Sequence, residues 1–330
     1  MPDRLVSQKF TKNGVTLYLG DVSELYSSWD APTVIVSDGP YGVKGFPGDP
    51  PTAEGLPEWY EPHVRQWSKY STPQTTLWFW NTELGWALSH PVLERYGWRY
   101  RCCHIWNKGI AHVAGNSNTQ KLRKLPVVTE VCVQYIKEAV FPWQDGRMLP
   151  MKEWLRSEWL RTELPLNVTN KACGVRNAAT RKYFTEDHLW YYPPVDAFVR
   201  LCDYANQYGD PNGRPYFSID GRKPLTGEEW DRMRAKFYCV PGVTNVWDEP
   251  AVRGSERLKI EYKCIHTNQK PLRLTERIID ISSDKGDLIW EPFGGLCSGA
   301  IAAYRLGRRC ASAEIVPEFF RVAVQRLKGE

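Results

Sequence analysis

Two short stretches and one acid beyond them have residue types and spacing that could do chemistry. Val36-Ser37-Asp38-Gly39-Pro40-Tyr41-Gly42 follows an apolar, β-branched run and brings a carboxylate, a carbonyl and an aromatic ring to a strand's carboxyl end. Glu291-Pro292-Phe293-Gly294-Gly295-Leu296-Cys297-Ser298-Gly299 is a glycine turn after a second apolar run. Open α/β sheets bind ligands at such turns, and glycine there lets a ligand approach the backbone closely. Glu314 ends the next predicted strand, about 20 residues beyond that turn, the spacing at which an acid accepts hydrogen bonds from ribose hydroxyls. The turn is not G-x-G-x-x-G, so a pyrophosphate cradle is poorly supported, and an adenosyl ligand with a ribose and no phosphate fits better. Taken singly, Asp38-Gly39-Pro40-Tyr41 reads as an ordinary turn.

The elements that must position these residues are legible as alternating strands and helices. Strands are predicted at Val15–Leu19, Pro32–Ser37, Thr75–Trp80 and Trp98–Trp106, and helices at Val22–Ser28, Trp59–Tyr70 and Thr82–Tyr96. The C-terminal third repeats the pattern: helix Pro271–Ser283, strand Asp287–Glu291, helix Ser298–Leu306, strand Arg309–Glu314 and helix Pro317–Leu327. Short continuous apolar runs suit strands covered on both faces, and the alternation predicts a doubly wound α/β sheet. Between the two parts, little strand periodicity follows Lys137, and turn formers crowd Gln207–Pro215. The expected organisation is one sheet domain from residues 1–110 and 245–330, interrupted by an insert over 111–244.

Composition is compatible with this reading and excludes others. The chain has 330 residues, 42% hydrophobic and 25% charged, with a net charge of +5, which permits a polyanionic partner without requiring one. No apolar stretch approaches the roughly 20 residues of a membrane helix, and the N-terminus lacks the apolar core of a signal peptide. The nine cysteines contain no C-x-x-C pair, so zinc spacing is absent and no metal is expected. An odd count without a secretion signal suits reduced thiols in the cytoplasm.

Together the motifs resemble those of S-adenosylmethionine-dependent DNA amino-methyltransferases (N6-adenine or N4-cytosine). Asp38-Gly39-Pro40-Tyr41 is similar to that family's Asp-Pro-Pro-Tyr motif, and Leu19-Gly20-Asp21 to the Gly-Asp placed before it. His266-Thr267-Asn268-Gln269-Lys270-Pro271 resembles its His-Pro-Thr-Gln-Lys-Pro segment, Glu291–Gly295 its Asp-Pro-Phe-x-Gly loop, and Ala313–Glu318 its ribose-binding acid strand. Thr244–Asp248 resembles a Trp-containing marker. Catalytic motif first, target recognition next and cofactor loop last is the order of the β group. The departures are Gly39 for the first Pro, Glu291 for Asp, Leu296 for a small polar residue and Cys297 for the second Gly of the loop. A side chain at 297 would crowd the methionine moiety unless the loop bows outward.

The resemblance implies a Rossmann-like methyltransferase sheet with helices on both faces and an inserted, mainly helical target-recognition module. It implies S-adenosyl-L-methionine as cofactor, with Glu314 on the ribose, Asp21 on the adenine amino group or a nearby backbone group, and Phe293 against the adenosine or methionine. His266, Asn268 and Lys270 would lie about the amino-acid end, where Lys270 pairs with the carboxylate. Glu291, Gly295, Cys297 and Ser298 belong to the cofactor loop. Asp38 and the Gly39 carbonyl would accept the amino hydrogens of a base flipped from the duplex, followed by Pro40, with Tyr41 stacked on that base. Asp at the first motif position leans towards adenine N6. Ser37 beside it leaves cytosine N4 open.

In the insert, residues 166–184 read as a helix-turn-helix. A helix over Thr169–Cys173, a turn at Gly174-Val175 and a second helix from Arg176 or Asn177 to Tyr183 would carry Lys171, Arg176, Asn177, Arg181 and Lys182 towards double-stranded DNA. Lys121, Arg123 and Lys124 form a further basic cluster after Asn116–Gln120, readable as a surface loop or as one that closes over DNA. Trp154, Trp159, Trp190, Tyr191 and Tyr192 are expected to build the insert's core. A cognate restriction nuclease and a homodimer stay open as partners; a membrane does not. The competing readings are an RNA substrate, a non-catalytic DNA-binding protein on the same scaffold, and a dehydrogenase, which lacks its phosphate loop.

Overall fold

A computed structural model describes residues 8–43, 48–113, 123–211, 213–260, 263–264 and 269–330. His266, Asn268, Lys121 and the segment 116–120 lie outside the described residues. Two compact units result, one from residues 1–137 with 235–330 and the other from residues 138–234.

The first unit is built on a nine-stranded sheet. Its strands are β1 (Gln8–Lys12), β2 (Val15–Leu19), β3 (Val34–Ser37), β4 (Thr76–Asn81), β5 (Trp98–Asn107), β6 (Thr129–Lys137), β7 (Val246–Asp248), β8 (Leu288–Glu291) and β9 (Arg309–Glu314). Their order is β1-β2-β9-β8-β3-β4-β6-β5-β7. The five strands from β2 to β4 run parallel, and β6 pairs antiparallel with both β4 and β5. Every residue of β3, β4 and β8 is buried, as expected of parallel strands covered on both faces.

The cover is apolar on each side. Helices α1 (Leu56–Tyr70) and α2 (Glu83–Arg95) pack Tyr60, Val64, Trp67 and Leu93 into one core with Phe79 and Trp290. Helices α3 (Leu272–Asp280), α4 (Ser298–Arg305) and α5 (Pro317–Gly329) pack Leu274, Ile278, Ala300 and Ala323 into another with Val34 and Ile289. The Trp-containing marker is core as well: Trp247 is buried and stacks on His104 with ring centres 4.7 Å apart.

Two expectations change here. Val22–Ser28 is not one helix but two 3-10 turns, the first capped by the Asp21 carboxylate on the Ser23 amide at 2.8 Å. The stretch Thr129–Lys137 belongs to the sheet, paired on both edges, so the second unit begins at residue 138 rather than 111 and ends at 234 rather than 244. Val131, Val133 and Tyr135 enter one apolar core and Cys132 the other, so both faces of this strand are buried.

The second unit has a small hairpin (Val140–Pro142 with Met148–Pro150) and helices Met151–Leu160, Val168–Ala172, Ala178–Tyr183, Val195–Tyr208 and Gly227–Asp231. Its core gathers Trp154, Trp159, Phe198, Phe217 and Trp230. Glu158 is fully buried and carries Arg161 at 2.8 Å and Arg214 at 2.5 Å, a compensated charge. Tyr191 departs from expectation: it is 62% exposed rather than core. No helix among the described residues is long and apolar enough to cross a membrane.

Candidate active site

The carboxyl ends of β2, β3, β8 and β9 open onto one cleft of about 340 Å³, lined among others by Asp21, Asp38, Tyr41, Lys270, Phe293 and Glu314. That is within the size range of small-molecule sites. Parallel strands bring these ends to one edge although their residues are far apart in the chain.

Asp38 follows β3 directly. Its Oδ1 accepts from the Tyr41 hydroxyl at 3.0 Å and from Lys270 Nζ at 2.8 Å. Among the described residues no donor reaches its Oδ2. The loop is held from below: the Pro40 carbonyl accepts from Tyr60 at 3.0 Å and from Asn81 Nδ2 at 2.9 Å. Asn81 fits because Gly85 carries no side chain; a Cβ there would lie 1.9 Å from Asn81 Oδ1. Gly39 has a similar reason. A Cβ at 39 would lie 2.7 Å from the Phe293 ring and 2.8 Å from the Tyr60 hydroxyl, so this chain fills with aromatic atoms the space a proline would take. Ser37, by contrast, is fully buried and does not line the cleft.

The glycine turn is braced by two acids. Glu314 Oε2 accepts from the Gly295 amide and Oε1 from the Val316 amide, each at 2.6 Å. Burial pushes its carboxyl up to about 7. Gly295 and Ser298 line the cleft, and Ser298 Oγ accepts from Arg326 at 3.1 Å. Phe293 packs against Trp59 and His63, with centres 5.1 and 5.0 Å apart. Burial holds His63 down to about 4, so the ring is neutral at pH 7.

Three of the residues expected around the cofactor have partners within the protein. Glu291 lines the cleft but spends its oxygens on the loop: it accepts from the Gly299 and Ala300 amides and from the Ser312 hydroxyl at 2.6 Å. It therefore caps the start of α4 where the helix leaves its first amides unpaired. Cys297 does not line the cleft. It sits in the left-handed region at φ 53° with its thiol fully buried against Ser312 at 3.3 Å, turned away from the cleft. Lys270 also lines the cleft, and two of the three donors of its ammonium already meet protein carboxylates.

The second of those is Glu130, which the sequence reading missed. Glu130, on β6, is buried; its Oε2 lies 3.3 Å from Lys270 Nζ and 3.1 Å from the Tyr41 hydroxyl, and its Oε1 pairs with Lys108. Desolvation opposes its ionisation, but Lys270 and Lys108 together hold it below the ordinary carboxylate range. Trp59, His63 and Asp49 also line the cleft unforeseen; burial raises Asp49 to about 6. An acid within an apolar strand pattern was the one available signal for Glu130. Trp59 and His63 share a face of α1, where they read as packing.

In the second unit, the helices Val168–Ala172 and Ala178–Tyr183 flank a turn at Gly174, φ 67°. They are tied by the Thr169–Thr180 hydroxyl pair at 2.7 Å and by the Thr180 amide on Asn170 Oδ1 at 3.1 Å. Lys171, Arg176, Asn177, Arg181 and Lys182 are all exposed. Among the described residues none of the four cations is in an ion pair. Arg123 and Lys124 are exposed too. No cluster of metal-ligating side chains occurs among the described residues.

The profile of a family described as DNA methylase, of the N6/N4 type, matches residues 33–325. The chain is 41% identical over 88 residues to DNA adenine methyltransferase YhdJ of Escherichia coli (strain K12), covering 27% of this chain and 28% of that one. It is 31% identical over 171 residues to Type II methyltransferase M.ScaI of Streptomyces caespitosus, covering 49% of each. The chain thus matches at most about half the length of these relatives. In fold it resembles PvuII DNA methyltransferase (cytosine-N4-specific), with a TM-score of 0.50 at 11% identity over 97% of this chain and 89% of that one.

Proposed function

The chain belongs to the N6/N4 DNA methylase family, and from that premise we propose that it transfers a methyl group from S-adenosylmethionine to an exocyclic amino nitrogen, adenine N6, in double-stranded DNA. The observation that carries this reading is that Asp38 and Glu314 line the same cleft.

The residues present fit the cofactor. Each Glu314 oxygen accepts one backbone amide and keeps a lone pair for a ribose hydroxyl. Phe293, His63 and Trp59 offer aromatic surface for the adenosine, and Asp21 lies on the same wall. When bound, S-adenosylmethionine would supply a methyl on a sulfonium, whose transfer forms a C–N bond and breaks the S–C bond to leave a neutral thioether, while the amino proton passes by way of Asp38 Oδ2 to water.

The chain's own residues prepare the nucleophile. An exocyclic amino nitrogen donates poorly because its lone pair is delocalised into the ring. Asp38 Oδ2 and the Gly39 carbonyl accept its two hydrogens, which favours a pyramidal nitrogen with a localised lone pair. Asp38 is fixed for this by Tyr41 and Lys270, and the loop by Tyr60 and Asn81, so rate comes from alignment. The base leaves the duplex to enter the cleft and stacks on Tyr41. Adenine is favoured by the acid at 38 and by the name of the Escherichia coli relative. A cognate restriction nuclease accords with the Type II name of the Streptomyces relative.

The five exposed basic and amide residues on the paired short helices contact DNA, the Arg and Asn side chains reading bases and the Lys side chains phosphates. The test is incubation with methyl-labelled S-adenosylmethionine and duplex DNA of mixed sequence, followed by nucleoside mass spectrometry. The expected product is N6-methyladenine. N4-methylcytosine would overturn the choice of base, and label confined to RNA, or none, would overturn the reading.

A further inference from the structure

Asp38 and Lys270 belong to a largely buried charge cluster whose other members, Glu130 and Lys108, have no role yet. Asp38, Glu130, Lys108 and Lys270 are four charged groups of zero net charge. The Lys270 ammonium and the Tyr41 hydroxyl both bridge the same two atoms, Asp38 Oδ1 and Glu130 Oε2, over 2.8 to 3.3 Å. Lys270 also lies 4.9 Å from the centre of the Tyr41 ring and 5.5 Å from that of Trp80. Glu130 itself does not line the cleft; it lines a neighbouring cavity with Trp106, Lys108 and Gln269. Among the described residues it reaches the lining of the cleft through its contacts with Tyr41 and Lys270.

We propose that Glu130 is a positioning residue for methyl transfer, holding Tyr41 and Lys270 on one oxygen of Asp38 and balancing the lysine charge so that the cleft accepts a cationic methyl donor. The inference rests on the methyltransferase reading and deepens it. Without Glu130, two ammonium groups face one carboxylate, and the cluster carries a net positive charge beside the place a sulfonium must occupy. A buried charge left without its partner is felt over several ångströms because little water screens it. Without Lys270 the imbalance has the opposite sign.

The test compares the dissociation constants of S-adenosylmethionine and S-adenosylhomocysteine, which differ by the methyl group and the charge on sulfur. Titration calorimetry at one pH and ionic strength on the full chain gives both. Glu130→Gln should shift the ratio against the sulfonium roughly five- to tenfold. Lys270→Met should shift it in the sulfonium's favour, and Glu130→Gln with Lys270→Met together should return it towards the parent value. Should Glu130→Gln fail to fold, Lys108→Met removes a cation while leaving the Asp38 contacts in place, and should favour the sulfonium. A purely structural role would weaken both nucleosides equally, so an unchanged ratio, or single variants that shift it the same way, would overturn the proposal. A parent protein that binds neither nucleoside would instead overturn the methyltransferase reading.

Discussion

Gly39 offers a sharp test of how the catalytic loop and the cofactor loop are packed together. In Gly39→Ala the new methyl starts 2.7 Å from Phe293 Cδ2 and 2.8 Å from the Tyr60 hydroxyl. To reach ordinary contact the Phe293 ring must retreat by roughly 0.7 Å. Trp59, His63 and Trp67 surround that ring with centres 5.1, 5.0 and 6.1 Å away, so the strain falls on α1 or on the cleft. Overpacking of this kind costs about 1–3 kcal/mol. The alanine recovers about 0.4–1 kcal/mol by stiffening the unfolded chain, since Gly39 does not occupy the left-handed region. The expected net loss is about 1–2 kcal/mol in denaturant unfolding, with S-adenosylmethionine affinity about tenfold weaker by calorimetry. Combining Gly39→Ala with Phe293→Leu should restore most of the stability. A Gly39→Ala protein as stable and as tight-binding as the parent would refute the packing argument.

Two further consequences concern charge. Burial raises Glu314 from the ordinary carboxylate value to about 7. The protonated form is therefore the one the fold favours, and the stability this group contributes is full below pH 4.5 and is lost as pH rises through about 7. The stability advantage of the ligand-free parent over Glu314→Gln should shrink by on the order of 3 kcal/mol between pH 4.5 and 8; a pH-independent difference, read from denaturant unfolding, would contradict it. Arg181→Ala should weaken duplex binding and lower base discrimination by about 1–3 kcal/mol, with the slope of log affinity against log salt unchanged. A slope lowered by about 0.9 would place the side chain on a phosphate instead. Fluorescence anisotropy at several salt concentrations separates these, and no change in either would remove this helix from the interface.

The part of the fold that follows from local patterning was legible in the residues. Val34–Ser37 and Leu288–Glu291 read as central parallel strands because uninterrupted apolar runs need cover on both faces. From those strands the positions of Asp38, Phe293 and Glu314 at one edge followed. What local patterning could not give was direction and partnership. Nothing in Glu291-Pro292-Phe293-Gly294-Gly295-Leu296-Cys297 says that the Glu291 carboxylate turns back onto the amides of α4, or that the Cys297 thiol turns inward. The motif around Lys270 suggested a cofactor contact but not its ion-pair partners, which come from the turn after β3 and from β6, distant in sequence. Glu130 was hidden by the same effect, since an acid inside a buried strand makes sense only once its two lysines are placed around it.

The account's central claim is that Asp38 holds the amino group that receives the methyl. Its most direct measurement is single-turnover transfer from labelled S-adenosylmethionine to duplex DNA by the parent protein and by Asp38→Asn, with the affinities for both ligands measured alongside. The account predicts rapid transfer by the parent and a loss of about a hundredfold or more in the variant, with duplex affinity retained. Transfer by Asp38→Asn at the parent rate would contradict it.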